Sequence, residues 1–150
     1  TVKSTKKKVQ FGISPAGNID NLYLSWSYYC DVKKWMNSNK YIDYICPQIY
    51  WTFTNKTCPF KKTCLRWAKL PRNKNVKLYI GLAGYRAGLS KSQAKAVSDI
   101  GWSKSNTILK REVLYGRSTK KVSGYVLFSY ADLSRKAASK EIANLKKIFK

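Results

Sequence analysis

The sequence predicts an α/β fold built from four βα units, and three observations carry that reading. Four apolar runs recur along the 150 residues, near 9–14, 42–51, 76–83 and 124–129, each followed by a segment with helical character. The runs are rich in β-branched and aromatic residues and largely unbroken by charge, as in strands of a parallel sheet covered by helices. Each run also ends in side chains with chemistry in them: Ser14, then Gln48, Tyr50 and Trp51, then Tyr85, then Ser129 and Tyr130. Parallel α/β sheets and barrels place their ligand sites at such C-terminal strand ends. Four units are half of an eight-unit barrel, or a small open sheet complete in itself.

Thr1 to Lys8 is polar and basic and reads as the tail of a preceding helix. Val9 to Ser14 is the first strand, and Pro15-Ala16-Gly17-Asn18 breaks it. Ile19 to Ser27 reads as loop. Tyr28 to Asn37 reads as a helix, because Tyr28, Val32, Trp35 and Met36 share one face at i, i+4, i+7 and i+8. The second strand, residues 42–51, starts as a buried run in which Ile42, Tyr44 and Ile45 suit a pleated surface. It changes character at Pro47, which removes a ladder donor. Phe60 to Leu70 is a helix with Phe60, Cys64, Trp67 and Ala68 on its apolar side, and residues 71–75 turn the chain. Val76 to Ala83 is the third strand. A long Ser/Lys/Gly loop follows up to Ser105, and Asn106 is the expected cap of a helix running to about Tyr115. Gly124 to Ser129 is the fourth strand, and Ala138 to Phe149 the last helix, with Ile142, Leu145 and Phe149 on one face.

Composition bounds the function. Hydrophobic content of 44% and aromatic content of 14% can fill a core. Thirty Lys and Arg against seven Asp and Glu give a net charge of +23, a field that attracts nucleic acid, anionic lipid or anionic wall polymers. The lysines are spread along the whole chain, which favours solvated faces over one dedicated patch. No run is long enough to span a membrane. The chain begins at Thr1 rather than Met, so an N-terminal part is expected to precede it. With no histidine and only Cys30, Cys46, Cys58 and Cys64, neither a zinc site nor a serine hydrolase's general base is at hand. Cys46 is expected to pack as a small apolar residue, and Cys58 and Cys64 are close enough to form a local disulfide in an exporting cell. Gly81-Leu82-Ala83-Gly84 lacks the lysine and spacing of a phosphate loop. No metal and no cofactor is implied.

The motifs Phe11-Gly12-Ile13-Ser14-Pro15, Lys34-Trp35, Ile42-Asp43-Tyr44-Ile45-Cys46-Pro47-Gln48-Ile49-Tyr50-Trp51, Val76 to Tyr85 and Gly124 to Ser129 together resemble the glycosyl hydrolase-like family 10. The resemblance runs in order from about Val9 to Leu133. It implies that residues 1–150 are a partial barrel domain, the second half of a (β/α)8 TIM-type barrel. It also implies a bacterial protein of the cell envelope or exterior that acts on a cell-wall or surface glycan. Two departures stand out: Cys46 where the family more often has Ala, and Asn18-Ile19-Asp20-Asn21 in place of a Trp-Arg-Asn-like continuation. The family's acidic Asp-Asp-Tyr strand-end segment has no counterpart in this chain.

Glycoside hydrolysis usually takes two carboxyls. Asp43 precedes its strand's core and faces the wrong end; Asp31, Asp99, Glu112 and Glu141 fall on helices or loops; Asp20 and Asp132 follow strands, where Asp is favoured as a turn or cap residue. The chain is therefore expected to bind rather than to cleave by itself, with the catalytic residues unassigned. The expected binding residues are Gln48, an amide for sugar hydroxyls or an acetamido group, Tyr50, a phenol, and Trp51 and Tyr85, flat faces for a sugar ring, with Ser14 and Tyr130 beside them. Packing beneath helices is the competing role for the aromatics. The implied partner is a polysaccharide or peptidoglycan-type glycan. The alternative is a non-catalytic polyanion-binding domain for an anionic wall polymer or nucleic acid. A half barrel would also expose open edges and apolar faces, so self-association is expected.

Overall fold

The computed structural model describes residues 2–6, 8–24 and 26–149 of the chain, without the side chains of Val2 and Lys3. Its strands are β1 (Gly12–Ile13), β2 (Tyr44–Ile45), β3 (Lys77–Leu82) and β4 (Gly124–Leu127). They form one parallel sheet in the order β1-β2-β3-β4. The regular strands are shorter than the apolar runs that encode them, but the first two pair on beyond their ends. Bridges link Ala16 to Gln48 and Gln48 to Gly81. Pro47 has no N–H to give, yet its carbonyl accepts from Gly81 N–H at 2.9 Å, and Ile49 N–H donates to the Gly81 carbonyl at 3.0 Å. Four parallel strands in sequential order with helical crossovers are compatible with half of a (β/α)8 barrel.

Among the described residues eight α-helices lie between and around the strands: α1 (Val2–Thr5), α2 (Ile19–Tyr23), α3 (Val32–Met36), α4 (Phe60–Lys69), α5 (Lys91–Ala96), α6 (Ile108–Ser118), α7 (Tyr130–Leu133) and α8 (Ser139–Lys146). One face of the sheet is covered. Leu78, Ile80 and Leu82 alternate along β3 and are fully buried together with Ile45 and Ile49 of the second strand. Phe60, Cys64 and Trp67 of α4 and Leu109 and Val113 of α6 complete the same core. Each such aliphatic side chain contributes about 1.5–3 kcal/mol through burial. Trp67 is tied further by its indole N–H, which donates to the Gly17 carbonyl at 2.7 Å and so pins the β1–α2 turn to α4.

Several expected elements differ. Residues 19–27 are not all loop: Asn18 Oδ1 accepts from Asp20 N–H at 3.1 Å and starts the short helix α2. The helix expected from Tyr28 begins only at Val32, where the Asp31 carboxylate accepts from Lys34 N–H, and Tyr28 stays in solvent at 56% exposure. The long loop before Ser105 contains α5, closed by a capping box between Ser90 and Gln93, and two 3-10 turns at Gly84–Arg86 and Ile100–Ser103. Asn106 does not cap α6. Thr107 holds that position without a side-chain capping bond, and the buried Glu141 carboxylate of α8 accepts from Leu109 N–H at 2.7 Å instead. Phe149 lies outside α8 and is exposed, with the Arg117 guanidinium over its ring. Cys46 is buried as expected, and all four cysteines are free thiols, including Cys58 and Cys64.

Candidate functional site at the C-terminal strand edge

The other face of the sheet is open. Side chains alternate along a strand, and register partners share a face. Tyr44, Gln48, Tyr79, Gly81, Val126 and Phe128 therefore stand on the side opposite Leu78, Ile80 and Leu82. Tyr44 and Tyr79 meet edge to face with centroids 5.4 Å apart. Val126 and Phe128, on the fourth strand, are 49% and 58% exposed. The sequence reads this strand as nearly all apolar; on this face nothing among the described residues covers Val126 and Phe128.

At the C-terminal end of this face three rings converge. Tyr50 meets Tyr85 edge to face at 5.7 Å and lies nearly parallel to Phe128 at 6.3 Å; Tyr85 and Phe128 meet at 6.2 Å. The backbone allows this because Gly81 has no side chain: a Cβ there would lie 3.5 Å from Tyr50 Cε1 and 3.1 Å from the Pro47 carbonyl oxygen. Two arginines hold the loops that carry the rings. Arg86 Nη1 donates to the Tyr50 carbonyl at 2.5 Å, with its guanidinium over the Tyr85 ring, and Arg135 Nη2 donates to the Tyr85 carbonyl at 2.7 Å. Arg135 also pairs with Asp132, which accepts from the Ser129 hydroxyl at 2.7 Å. Burial pushes the Tyr50 phenol above its ordinary range, with Cys46 and Tyr85 adding to the shift. At neutral pH Tyr50 is therefore a neutral donor and acceptor.

Gln48 lies beside the rings, half-buried, and its Nε2 donates to the Ser14 carbonyl at 3.0 Å. That bond fixes the amide and leaves Oε1 as the group to meet a ligand. Ser14 is engaged from both ends, since its hydroxyl donates to the Cys46 carbonyl at 2.8 Å. Burial raises the Cys46 thiol to about 11, with the Ser14 bond opposing the shift. The structure thus brings together Gln48, Tyr50 and Tyr85, with Ser14 as their support. Trp51 turns the other way and packs its ring against Gly17. Tyr130 opens α7 at 89% exposure, without a ring partner among the described residues. Sequence reading missed Phe128, Arg86 and Arg135. Phe128 was within reach: it follows Val126 by two on the strand that pairs with Gly81, so alternation alone assigns it to the face of Gln48.

Every carboxylate in the chain has a place in the fold. Asp20 pairs with Arg66, which holds its pKa down; Asp31 caps α3; Asp43 accepts from Phe11 N–H; Asp99 accepts from the Thr52 N–H and hydroxyl; Asp132 closes a capping box around Ser129. Glu141 caps α6 and Glu112 is fully buried in the core. Among the described residues no group of three His, Cys, Asp or Glu could hold a metal, and no helix is long and apolar enough to cross a membrane.

A parallel sheet of βα units, one face packed under helices and the other carrying an amide and a ring cluster at its C-terminal edge, defines an α/β domain compatible with half of a (β/α)8 barrel. The chain belongs to the family described as glycosyl hydrolase-like 10, whose sequence profile matches residues 1–99. It is similar to the protein named glycosyl hydrolase DigH of Escherichia coli K12, with 28% identity over 159 residues, covering 97% of this chain and 35% of that protein. The same figures hold for DigH of Escherichia coli O6:H1 strain CFT073. Glycosyl hydrolase YngK of Bacillus subtilis strain 168 is 29% identical over 154 residues, covering 90% of this chain and 27% of that protein. The chain thus spans between about a quarter and a third of the length of the curated relatives it matches.

Proposed function

We propose that residues 1–150 form the glycan-binding part of a larger glycoside hydrolase barrel that acts on a bacterial cell-wall or surface glycan, at the cell envelope or outside the cell. One observation carries the reading: the Tyr50, Tyr85 and Phe128 rings converge beside the Gln48 amide at the C-terminal strand edge, on the open face. Rings of this kind offer flat apolar faces to the C–H side of a sugar, while Gln48 Oε1 and the Tyr50 hydroxyl meet its hydroxyls. With six of the seven acids bonded within the fold and Glu112 buried in its core, the catalytic carboxyls belong in this reading to the remainder of the barrel. That remainder also covers the open face; in its absence a second copy of the chain does so.

The test is to titrate the full-length protein with purified wall glycan and to follow its hydrolysis. Gln48→Ala and Tyr50→Phe each weaken binding about tenfold, the value of one hydrogen bond to a sugar. Unchanged binding and turnover in both variants would falsify the assignment. The basic alternative rests on one specific observation, a groove of about 590 Å³ that Lys69, Arg72, Lys74 and Lys121 line without a carboxylate. A role in holding an anionic wall polymer requires affinity that falls steeply with salt. The same titration at two ionic strengths separates the readings, because neutral glycan held by rings and amides is nearly indifferent to salt.

A further inference from the structure

The α4–β3 and α6–β4 turns bound a groove of about 590 Å³, within the roughly 300–1,000 Å³ range of ligand sites. Both turns lead into the N-terminal ends of strands, so the groove opens at the end of the sheet opposite the Tyr50, Tyr85 and Phe128 rings. The six residues of β3 put about 20 Å between the two ends. Arg72 ties the turns together: its Nη2 donates to the Lys121 carbonyl at 2.9 Å. Its Nη1 is shielded from water and has no partner among the described residues. Burial pulls the Arg72 pKa below the ordinary arginine value, with no carboxylate to oppose the shift. Lys69, Lys74 and Lys121 add three more cations to the lining, and among the described residues no acid and no aromatic ring contributes to it.

Charge is divided between the two ends of the fold. The four segments that enter the strands, 6–11, 37–43, 70–76 and 119–123, hold eight Lys or Arg and one acid, Asp43, whose carboxylate already accepts from Phe11 N–H. The four segments that leave them, 14–18, 46–59, 83–90 and 128–129, hold two, Lys56 and Arg86, and Arg86 is bonded to the Tyr50 carbonyl. The loop cations, scattered along the sequence, therefore gather at one end in space. The chain also places a lysine, Lys120, at φ 56°, where glycine is the unstrained residue. Like charges gathered at one end repel one another in the free protein, and a bound polyanion relieves that repulsion.

We infer that this groove is a binding site for a linear phosphodiester polymer without bases, of the polyol-phosphate kind. Lys69, Lys74 and Lys121 meet its phosphate oxygens, with the Arg72 guanidinium as a fixed charge beneath them. A groove admits a chain and not the flat surface of a bilayer. A single-stranded nucleic acid would lack the stacking platform such strands use, since no ring among the described residues lines the groove. The inference deepens the basic alternative, whose groove it uses, and does not rest on the glycan reading. The two readings become two ends of one molecule, a charged polymer where the strands begin and a neutral sugar where they end.

The experiment titrates the full-length protein with poly(glycerol phosphate) by calorimetry at about 50 and 200 mM salt. Three or four ion contacts make the affinity about twentyfold to fiftyfold lower at the higher salt. Lys74→Gln combined with Lys121→Gln lowers affinity about tenfold, whereas Lys91→Gln combined with Lys95→Gln, the same loss of charge on α5, lowers it less than about twofold. Equal losses in the two pairs overturn the groove, since net charge alone would then account for binding. Tighter groove-dependent binding of a single-stranded oligonucleotide of equal charge, or of phosphatidylglycerol vesicles, overturns the choice of polymer. Gln48→Ala leaves polymer affinity as in wild type, and the Lys74 and Lys121 pair leaves binding of neutral wall glycan as in wild type. An effect of Gln48→Ala on the polymer, or of that lysine pair on neutral glycan, overturns the separation of the two sites. Failure of the glycan reading, seen as Gln48→Ala without effect on glycan, leaves the polymer titration unchanged.

Discussion

The two faces of the sheet come from the same strands and follow opposite rules. On the covered face Ile45, Ile49, Leu78, Ile80 and Leu82 are aliphatic and wholly buried. On the open face the corresponding positions are Tyr44, Gln48, Tyr79, Gly81, Val126 and Phe128, aromatic, polar or small, and in part exposed. The first set is chosen for packing volume, the second for the surfaces it presents. Stability and ligand chemistry are thereby divided between alternate residues of one strand, and a substitution two positions along β3 falls on the same side of that division.

The largest effect is expected where the covered face is cut. Ile80→Ala empties a site between the sheet and the helices and costs about 2–5 kcal/mol, read as a lower urea midpoint with unchanged slope. A loss under about 1 kcal/mol would mean that the two faces do not differ as described.

Glu112 of α6 is the exception that sharpens the contrast, a fully buried carboxyl without a hydrogen bond. Burial pushes its pKa well above the usual carboxylate range; Glu141 and Asp99 push the same way, and Arg111 opposes them. Cys64 is its thiol neighbour, itself raised by burial to about 12. A raised carboxyl favours folding while protonated. Its contribution is full below the unfolded value near 4.5 and is lost as pH rises through the folded value. Glu112→Gln is expected to stabilise the chain at neutral pH by about 1–3 kcal/mol and to flatten the fall in stability above pH 4.5. Glu141, also raised by burial, preserves part of the slope. Urea unfolding of both proteins between pH 4 and 8 measures this, and parallel curves would refute it.

The covered face was the legible part of the molecule. The apolar runs, the strand order and the helix α4, with Phe60, Cys64, Trp67 and Ala68 buried as the periodicity of the sequence requires, follow from local pattern. Misreadings arose where tertiary contacts decide. Tyr28 fits a helical face by spacing, but the Asp31 cap starts α3 later and leaves it in solvent. Asn106 has the right side chain for a cap, but Glu141, 32 residues from Leu109, takes the orphan donor. At the site, strand-end position named Gln48, Tyr50 and Tyr85, and the structure places the Tyr50 and Tyr85 rings in contact. The direction of Trp51 is not legible from the sequence, because Pro47 and the loop after Ile49 break the alternation that orientation would be read from. Phe128, hidden in an apolar run, stands nearly parallel to Tyr50 instead.

The smallest effect tests whether the open face is a surface at all. Val126 stands on β4, on the face shared with Gly81, its register partner, and is half exposed. Val126→Thr adds a hydroxyl to a position that already meets water, so stability should change by no more than about 0.5 kcal/mol. The same change in a core would leave the hydroxyl without a partner and cost about 1–3 kcal/mol. Sedimentation velocity on the 150-residue chain provides the second readout. If copies cover each other's open faces, the wild-type chain associates with rising concentration and the threonine weakens that association. A chain that stays monomeric at every concentration, with Val126→Thr costing nothing, describes a sheet whose open face is content in water. A loss above about 1.5 kcal/mol in a monomer would instead make Val126 core and the two faces alike.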